Sequence, residues 1–183
     1  ITYELQTPLQ DRQAEAILLT LLELAPRIQE NNPDFEARAS FMWCSTQALN
    51  GLIGCGGVAD FASHDIGHEL TAFFGLAHAE SIAVVLPALW KHQLMNKIDK
   101  LAQYADRIWN IRNESKEMKA RAAIDRTVDF FHSLDMPTRL RDYQIEKDSL
   151  ENVVQYFQNQ KFVLGERKNI TAPQIRQILQ DCW

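Results

Sequence analysis

The chain has 183 residues, 46% of them hydrophobic and 23% charged, which is enough apolar material for one sizeable core. A formal net charge of -5, a pI near 5.5 and the lack of any run of like charges exclude the electrostatic footprint of a nucleic-acid or anionic-membrane binder. No apolar stretch reaches the roughly 20 residues of a membrane span and no basic leader opens the chain. The 3 cysteines, Cys44, Cys55 and Cys182, show no C-x-x-C spacing, so neither a disulfide framework nor a zinc knuckle is expected and a reducing cytoplasm is the expected compartment. Because the first residue is Ile1 rather than Met, we expect a chain that begins inside a longer gene product or after processing.

Apolar residues recur at three- and four-residue spacing almost everywhere and period-2 alternation is scarce, which predicts an all-α helical bundle of about seven to nine helices. Thr7-Pro8 reads as an N-cap with Pro in the first turn, opening an amphipathic helix through Leu9, Ile17, Leu18, Leu21 and Leu22. Asn32-Pro33 repeats the device for a second helix carrying Phe35, Phe41, Met42 and Leu49, stopped by the glycine cluster at 51, 54, 56 and 57. Asp60 is the expected cap of a third helix running to about Gly75. A very apolar fourth helix starts at His78 and passes through Ile82, Val84, Val85, Leu86, Ala88, Leu89 and Trp90, with a kink or boundary expected at Pro87. Helices follow from Ile98 to Trp109 and from Glu114 to Leu134, ended by Met136-Pro137-Thr138. Asp148 with Glu151, and Thr171 with Gln174, are capping-box patterns for two last helices. No repeat or linker divides the chain, so residues 1–183 are expected to be a single helical domain.

Of the 5 histidines, three fall between positions 64 and 78. On a helix, His64 and His68 share one face with Cβ atoms about 5 to 6 Å apart. A left-handed stop at Gly75 lets the chain double back and brings His78 to the same end of the bundle. Neutral imidazole nitrogen suits zinc and iron. Taken singly, each histidine reads more simply as a hydrogen-bonded surface or core residue, and it is the clustering that shifts the balance. A protease of the His-Glu-x-x-His type is disfavoured, because Asp65 follows His64 where that chemistry needs Glu.

Other candidates carry less. The glycines at 51 to 57 follow a helix rather than a strand, so a loop is preferred to a phosphate cradle. His92 and His132 receive no functional role, and Trp43, Trp90, Trp109 and Trp183 read as core or interface packing. Cys44 has no adjacent base and is not expected to be a nucleophile. Phe73 and Phe74 read as core fillers ahead of pocket walls.

Residues 59 to 90, with Gly-His-Glu-Leu-Thr-Ala at 67 to 72 and Gly-Leu-Ala-His-Ala-Glu-Ser-Ile-Ala-Val-Val-Leu-Pro-Ala-Leu-Trp at 75 to 90, resemble the signature of iron-containing alcohol dehydrogenases. Residues 11 to 21, 103 to 111 and 136 to 140 extend the likeness to the subgroup of NADPH-dependent aldehyde reductases and butanol dehydrogenases. The resemblance implies the C-terminal metal-binding domain of a dehydroquinate synthase-like fold, separated from a Rossmann-like nucleotide-binding half. It implies that His64 and His78, fourteen positions apart, are metal ligands, and that His68 is the catalytic residue beside the nicotinamide. The implied cofactors are iron or zinc and NADP(H), the latter bound mainly by the absent half. The implied partners are an aldehyde or alcohol substrate and a second copy in a homodimer, with no nucleic acid and no membrane. The family's Asp-x-x-x-His ligand pair would precede Ile1, so we expect this chain to be inactive alone and to expose apolar surface where the other half docks. The alternative reading is a non-catalytic helical interaction domain whose histidines are structural.

Overall fold

The computed structural model describes residues 7–30 and 34–183. Among them, eight α-helices follow in chain order: α1 (Pro8–Gln29), α2 (Phe35–Leu49), α3 (Ala62–Phe74), α4 (His78–His92), α5 (Ile98–Arg107), α6 (Lys116–Ser133), α7 (Leu150–Gln160) and α8 (Ala172–Cys182). Two short 3-10 turns, Leu140–Tyr143 and Lys147–Ser149, lead into α7. Extended pairing among the described residues is confined to one antiparallel bridge, Leu164 with Ile170, which closes the loop between α7 and α8. No helix of the described residues is long and apolar enough to cross a membrane.

The ends of these helices follow the local chemistry, with differences at Thr7 and at Asp148. Thr7 sits at the start of α1 as expected, but its hydroxyl donates to Asp11 and does not cap the backbone. The Asn32-Pro33 start falls outside the described residues; the described cap of α2 is Asp34, whose Oδ1 accepts from the Ala37 N–H at 2.9 Å while Oδ2 pairs with Arg27. The Asp148–Glu151 box does not form, because Glu151 is drawn to Arg176 of α8 at 2.6 Å. The Thr171–Gln174 box does form.

Pro87 neither ends nor divides α4. An interior proline costs about 3 kcal/mol, through a lost backbone hydrogen bond and the clash of its ring with the preceding turn, and α4 offsets this with burial: Ser81, Ala83, Val84, Val85 and Pro87 through Trp90 are all buried. This helix is the centre of the body, packing on α3, α6 and α8, while α5 lies on α6 and α7 lies on α8. One apolar cluster runs through α3 to α8, from Ala62, Ile66 and Leu70 to Ile175, Ile178 and Leu179.

The α1–α2 pair stands outside that cluster, since only Leu24, Ala37 and Cys44 of these two helices are buried. Charge ties α1 to α5: Lys100 reaches Asp11 at 2.7 Å and Arg107 reaches Glu15 at 2.8 Å. On α2 and the loop after it, Phe41, Met42, Trp43, Leu49, Leu52 and Phe61 remain exposed, Leu49 to 86%. Trp43 is therefore no core residue, whereas Trp90 is buried and the Trp183 indole donates to the Ile145 carbonyl.

The contact that positions the histidines is the crossing of α3 over α4. A Cβ built on Gly67 would lie 3.0 Å from both Ile82 Cδ1 and Ser81 Oγ, so any larger residue would have to displace these side chains or part the two helices. Gly67→Val is expected to lower unfolding free energy by about 1 to 3 kcal/mol through overpacking. Gly54→Ala, whose new methyl meets nothing nearer than 3.7 Å, should stay within about 0.5 kcal/mol. Urea unfolding of the two variants checks the contrast.

Candidate functional site

Helix α3 places its apolar stripe of Ala62, Ile66 and Leu70 in the core and leaves His64 and His68 on a neighbouring face. Gly75 then ends the helix at φ 74°, its N–H donating to the Thr71 carbonyl at 2.9 Å. Three residues later the chain enters α4, where the Ala77 N–H donates to Glu80 and the Ser81 hydroxyl donates to the His78 carbonyl. The turn therefore delivers His78 to the same corner. Ring centroids lie 5.3 Å apart for His64 and His78, 5.0 Å for His68 and His78, and 6.2 Å for His64 and His68.

The three rings are not equivalent. His64 is half-buried, while His68 and His78 are exposed. Burial is the main cause that holds the His64 pKa below its ordinary value, and the neighbouring His78 and His68 lower it further. His64 is thus biased towards the neutral imidazole that ligates metals. Asp65 is pushed above the usual carboxylate range, mainly by burial, with His68, His64 and Lys168 pulling against that shift. Phe61 meets the His64 ring edge-on at 5.9 Å. Among the described residues no three His, Cys, Asp or Glu side chains are grouped tightly enough to hold an ion. The donor chemistry fits a divalent metal in part: two convergent imidazoles, one kept neutral, make half of a four-ligand set.

Asp60 does more than the expected capping. Its Oδ1 accepts from the Ala62 N–H at 2.9 Å, but its Oδ2 pairs with the buried Lys97 at 2.7 Å. Periodicity gave Lys97 no prominence; its signal is a lysine beside the N-terminus of α5, where the helix dipole disfavours positive charge. Beside His64 a largely apolar cavity of about 450 Å³ runs between α1, α4 and α6, bordered by Leu18, Leu22, Ile82, Leu86, Phe130 and Phe131. The glycine loop at 51–57 joins α2 to α3, as a connection between helices and not a strand-borne phosphate loop. His132 is engaged with Thr138 at 3.0 Å and Phe74 packs on the core, whereas Phe73 is no core filler: it is 44% exposed and meets Tyr156 edge-on. Cys44, Cys55 and Cys182 are free thiols, and burial pushes the Cys182 thiol far up.

Residues 4–183 match the model of the Fe-containing alcohol dehydrogenase family, C-terminal part. The chain is 43% identical over 181 residues to the NADPH-dependent aldehyde reductase YqhD of Escherichia coli, covering 98% of this chain and 47% of that protein. It is 34% identical over 178 residues to NADH-dependent butanol dehydrogenase A of Clostridium acetobutylicum, covering 95% and 46%. The solved substrate- and cofactor-free form of E. coli YqhD superposes with a TM-score of 0.95 at 42% identity, over 100% of this chain and 48% of that one. Thermotoga maritima NADH-dependent butanol dehydrogenase A superposes at 0.84 and 25% identity, over 93% and 45%. The chain spans about half the length of the curated relatives it matches.

The depressed His64 pKa has a definite sign in stability. As pH falls, the unfolded chain takes up this proton before the folded chain does, so the His64 contribution is constant above about pH 6.5 and is lost as pH drops towards the folded value. In the metal-free protein the His64 ring should titrate by NMR below 6.5, and His78→Gln should raise that midpoint without fully restoring it, because burial remains. A midpoint at or above the ordinary value would contradict the site's description.

Proposed function

Because this chain belongs to the Fe-containing alcohol dehydrogenase family, we propose that it is the metal- and substrate-binding half of an enzyme that moves hydride between NADP(H) and an aldehyde or alcohol. The observation that carries this reading is the convergence of His64, His68 and His78 at one corner of the bundle. In it, His64 and His78 hold a divalent metal, iron or zinc, and the remaining ligands come from sequence beyond these residues. A bound metal supplies Lewis acidity towards a carbonyl oxygen, and NADPH supplies the hydride for the carbonyl carbon.

The residues of this chain do the rest. His64 stays neutral through burial and so offers its ring nitrogen over a wider pH range than an ordinary histidine. His68, exposed and 5.0 Å from the His78 ring, carries a proton between solvent and the alcohol oxygen at one of its imidazole nitrogens. Phe61 shields one edge of His64 from water. The remaining half of the protein is a Rossmann-like nucleotide domain. It covers the exposed apolar residues of α2 and the cavity beside His64, and the whole protein works as a cytoplasmic homodimer.

In the whole protein, His64→Ala or His78→Ala should remove metal and aldehyde reduction together. His68→Ala should lower kcat about 100-fold or more, the share that general acid–base catalysis supplies, with metal content retained. Metal analysis alongside NADPH-oxidation kinetics separates these roles, and a whole protein that binds no nucleotide would replace this reading with the interaction-domain alternative. Residues 1–183 alone should show no NADPH-dependent reduction of butanal and only weak zinc binding by calorimetry, since two ligands gain little from binding and hydride transfer needs both partners held in place. Tight one-to-one zinc binding lost on His64→Ala would count against the half-site.

A further inference from the structure

Lys97 is among the largest fully buried side chains of the described residues, with 1% of its side chain exposed. Its ammonium lies 2.7 Å from Asp60 Oδ2 and 3.0 Å from Glu166 Oε1, and those carboxylates are themselves 8% and 4% exposed. The three residues come from the start of α3, the start of α5 and the loop between α7 and α8. Asp60 stands one helical turn before His64, both side chains border the same cavity, and its second oxygen holds the first free N–H of α3 at Ala62.

We propose that Lys97 is a positioning residue: with Asp60 and Glu166 it clamps the first turn of α3 and thereby fixes where the His64 ring points relative to His78. The geometry requires such a device. The apolar stripe of α3 fixes the helix in depth through Ile66 and Leu70, but apolar contact is non-directional and leaves rotation of the first turn less restrained. A buried ammonium between two carboxylates tolerates little displacement, since any movement leaves a charge desolvated and incompletely paired. The same lysine opens α5, where the dipole works against it, so its placement does not serve the stability of its own helix. Gln93 extends the anchorage: its carbonyl accepts from the Lys97 N–H at 3.0 Å, joining the clamp to the end of α4.

The inference rests on His64 being a metal ligand, and the experiment separates the two ideas. Removing one partner would strand the others, so the charges are replaced together by neutral groups of similar size, Asp60→Asn with Lys97→Met and Glu166→Gln, in the whole protein. Such a swap removes all three charges of the triad at once, so that none of them is left buried without its partner. In the metal-free protein with labelled histidine, the NMR contacts between the His64 and His78 rings should weaken although the melting midpoint is kept. Affinity for Co²⁺ alone should fall by up to about 10-fold, the lower end of what losing a group bonded directly to a ligand costs, because Asp60 acts on His64 through the backbone of α3. In a His64→Ala background the same triple change should cause no further loss. Unchanged ring contacts and affinity in the folded triple variant, or an equal loss with and without His64, would overturn the proposal. If the parent protein binds no Co²⁺, the metal reading falls and the ring contacts alone decide the positioning role. If the triple variant does not fold, Lys97→Arg keeps the charge but not its compact shape, and an unaltered Co²⁺ affinity in that variant would equally overturn the proposal.

Discussion

The close crossing of α3 and α4 is the constraint on which the rest of the site depends. Packed helices ordinarily lie about 8 to 10 Å apart, and the side chain at the contact sets where in that range they sit. Gly67 has no side chain there, and the Ser81 and Ile82 side chains of α4 occupy the space that a Cβ at this position would need. Gly75 then supplies the left-handed residue that closes the turn between them. With the helices this close and the connection this short, the first residue of α4 cannot avoid the exposed face of α3. His78 therefore meets His64 and His68 without any direct bond between the rings.

The same packing explains why one ring of the three is chemically distinct. His64 lies where the core margin meets solvent, beside Ser63 and the cavity that reaches Trp90 and Phe131. Desolvation there disfavours the imidazolium, and the two neighbouring rings add like charge whenever they are protonated. His68, one turn further on, projects beyond the margin into solvent. One half-buried imidazole held towards its neutral form and one solvent-facing imidazole thus follow from depth along one helix.

Much of this was legible in the sequence, and the limits have physical causes. Helical periodicity located the eight helices of the described residues, most clearly α3 to α8, which bury a stripe, and the i, i+4 histidines with the glycine stop anticipated the shared corner. Periodicity carries no information about partners from distant elements, and there the reading fell short. Glu151 matches a capping-box pattern but is taken by Arg176, which the fold alone brings near. Pro87 reads as a kink or a boundary, and the boundary does not occur, because the burial of nearly every residue around it carries α4 through. Trp43 lies on an apolar pattern that is real but faces outward, since the pattern marks surfaces to be covered without saying by what. Asp60 shows its N-terminal hydrogen bond in local sequence, but its pairing with Lys97 spans too many residues for local rules to see.

Lys97 and Lys100 show what those distant pairings do. Both stand at the first turn of α5, where a cation costs about 0.3 to 1 kcal/mol against the helix dipole, and both are buried. Each reaches a carboxylate on another helix or its leading loop: Lys97 to Asp60 ahead of α3, Lys100 to Asp11 on α1. An apolar residue at either position would pack at least as well by area, so stability alone does not account for two buried ammonium groups. What the charges add is direction. Apolar contacts hold α3 to α8 together as one cluster, whereas α1 shares little of that cluster and is held to α5 by paired charges. The turn of α5 from which both lysines project is thus a common reference for α1 and for the beginning of α3. Cavity wall and histidine face are oriented from a single point in the fold.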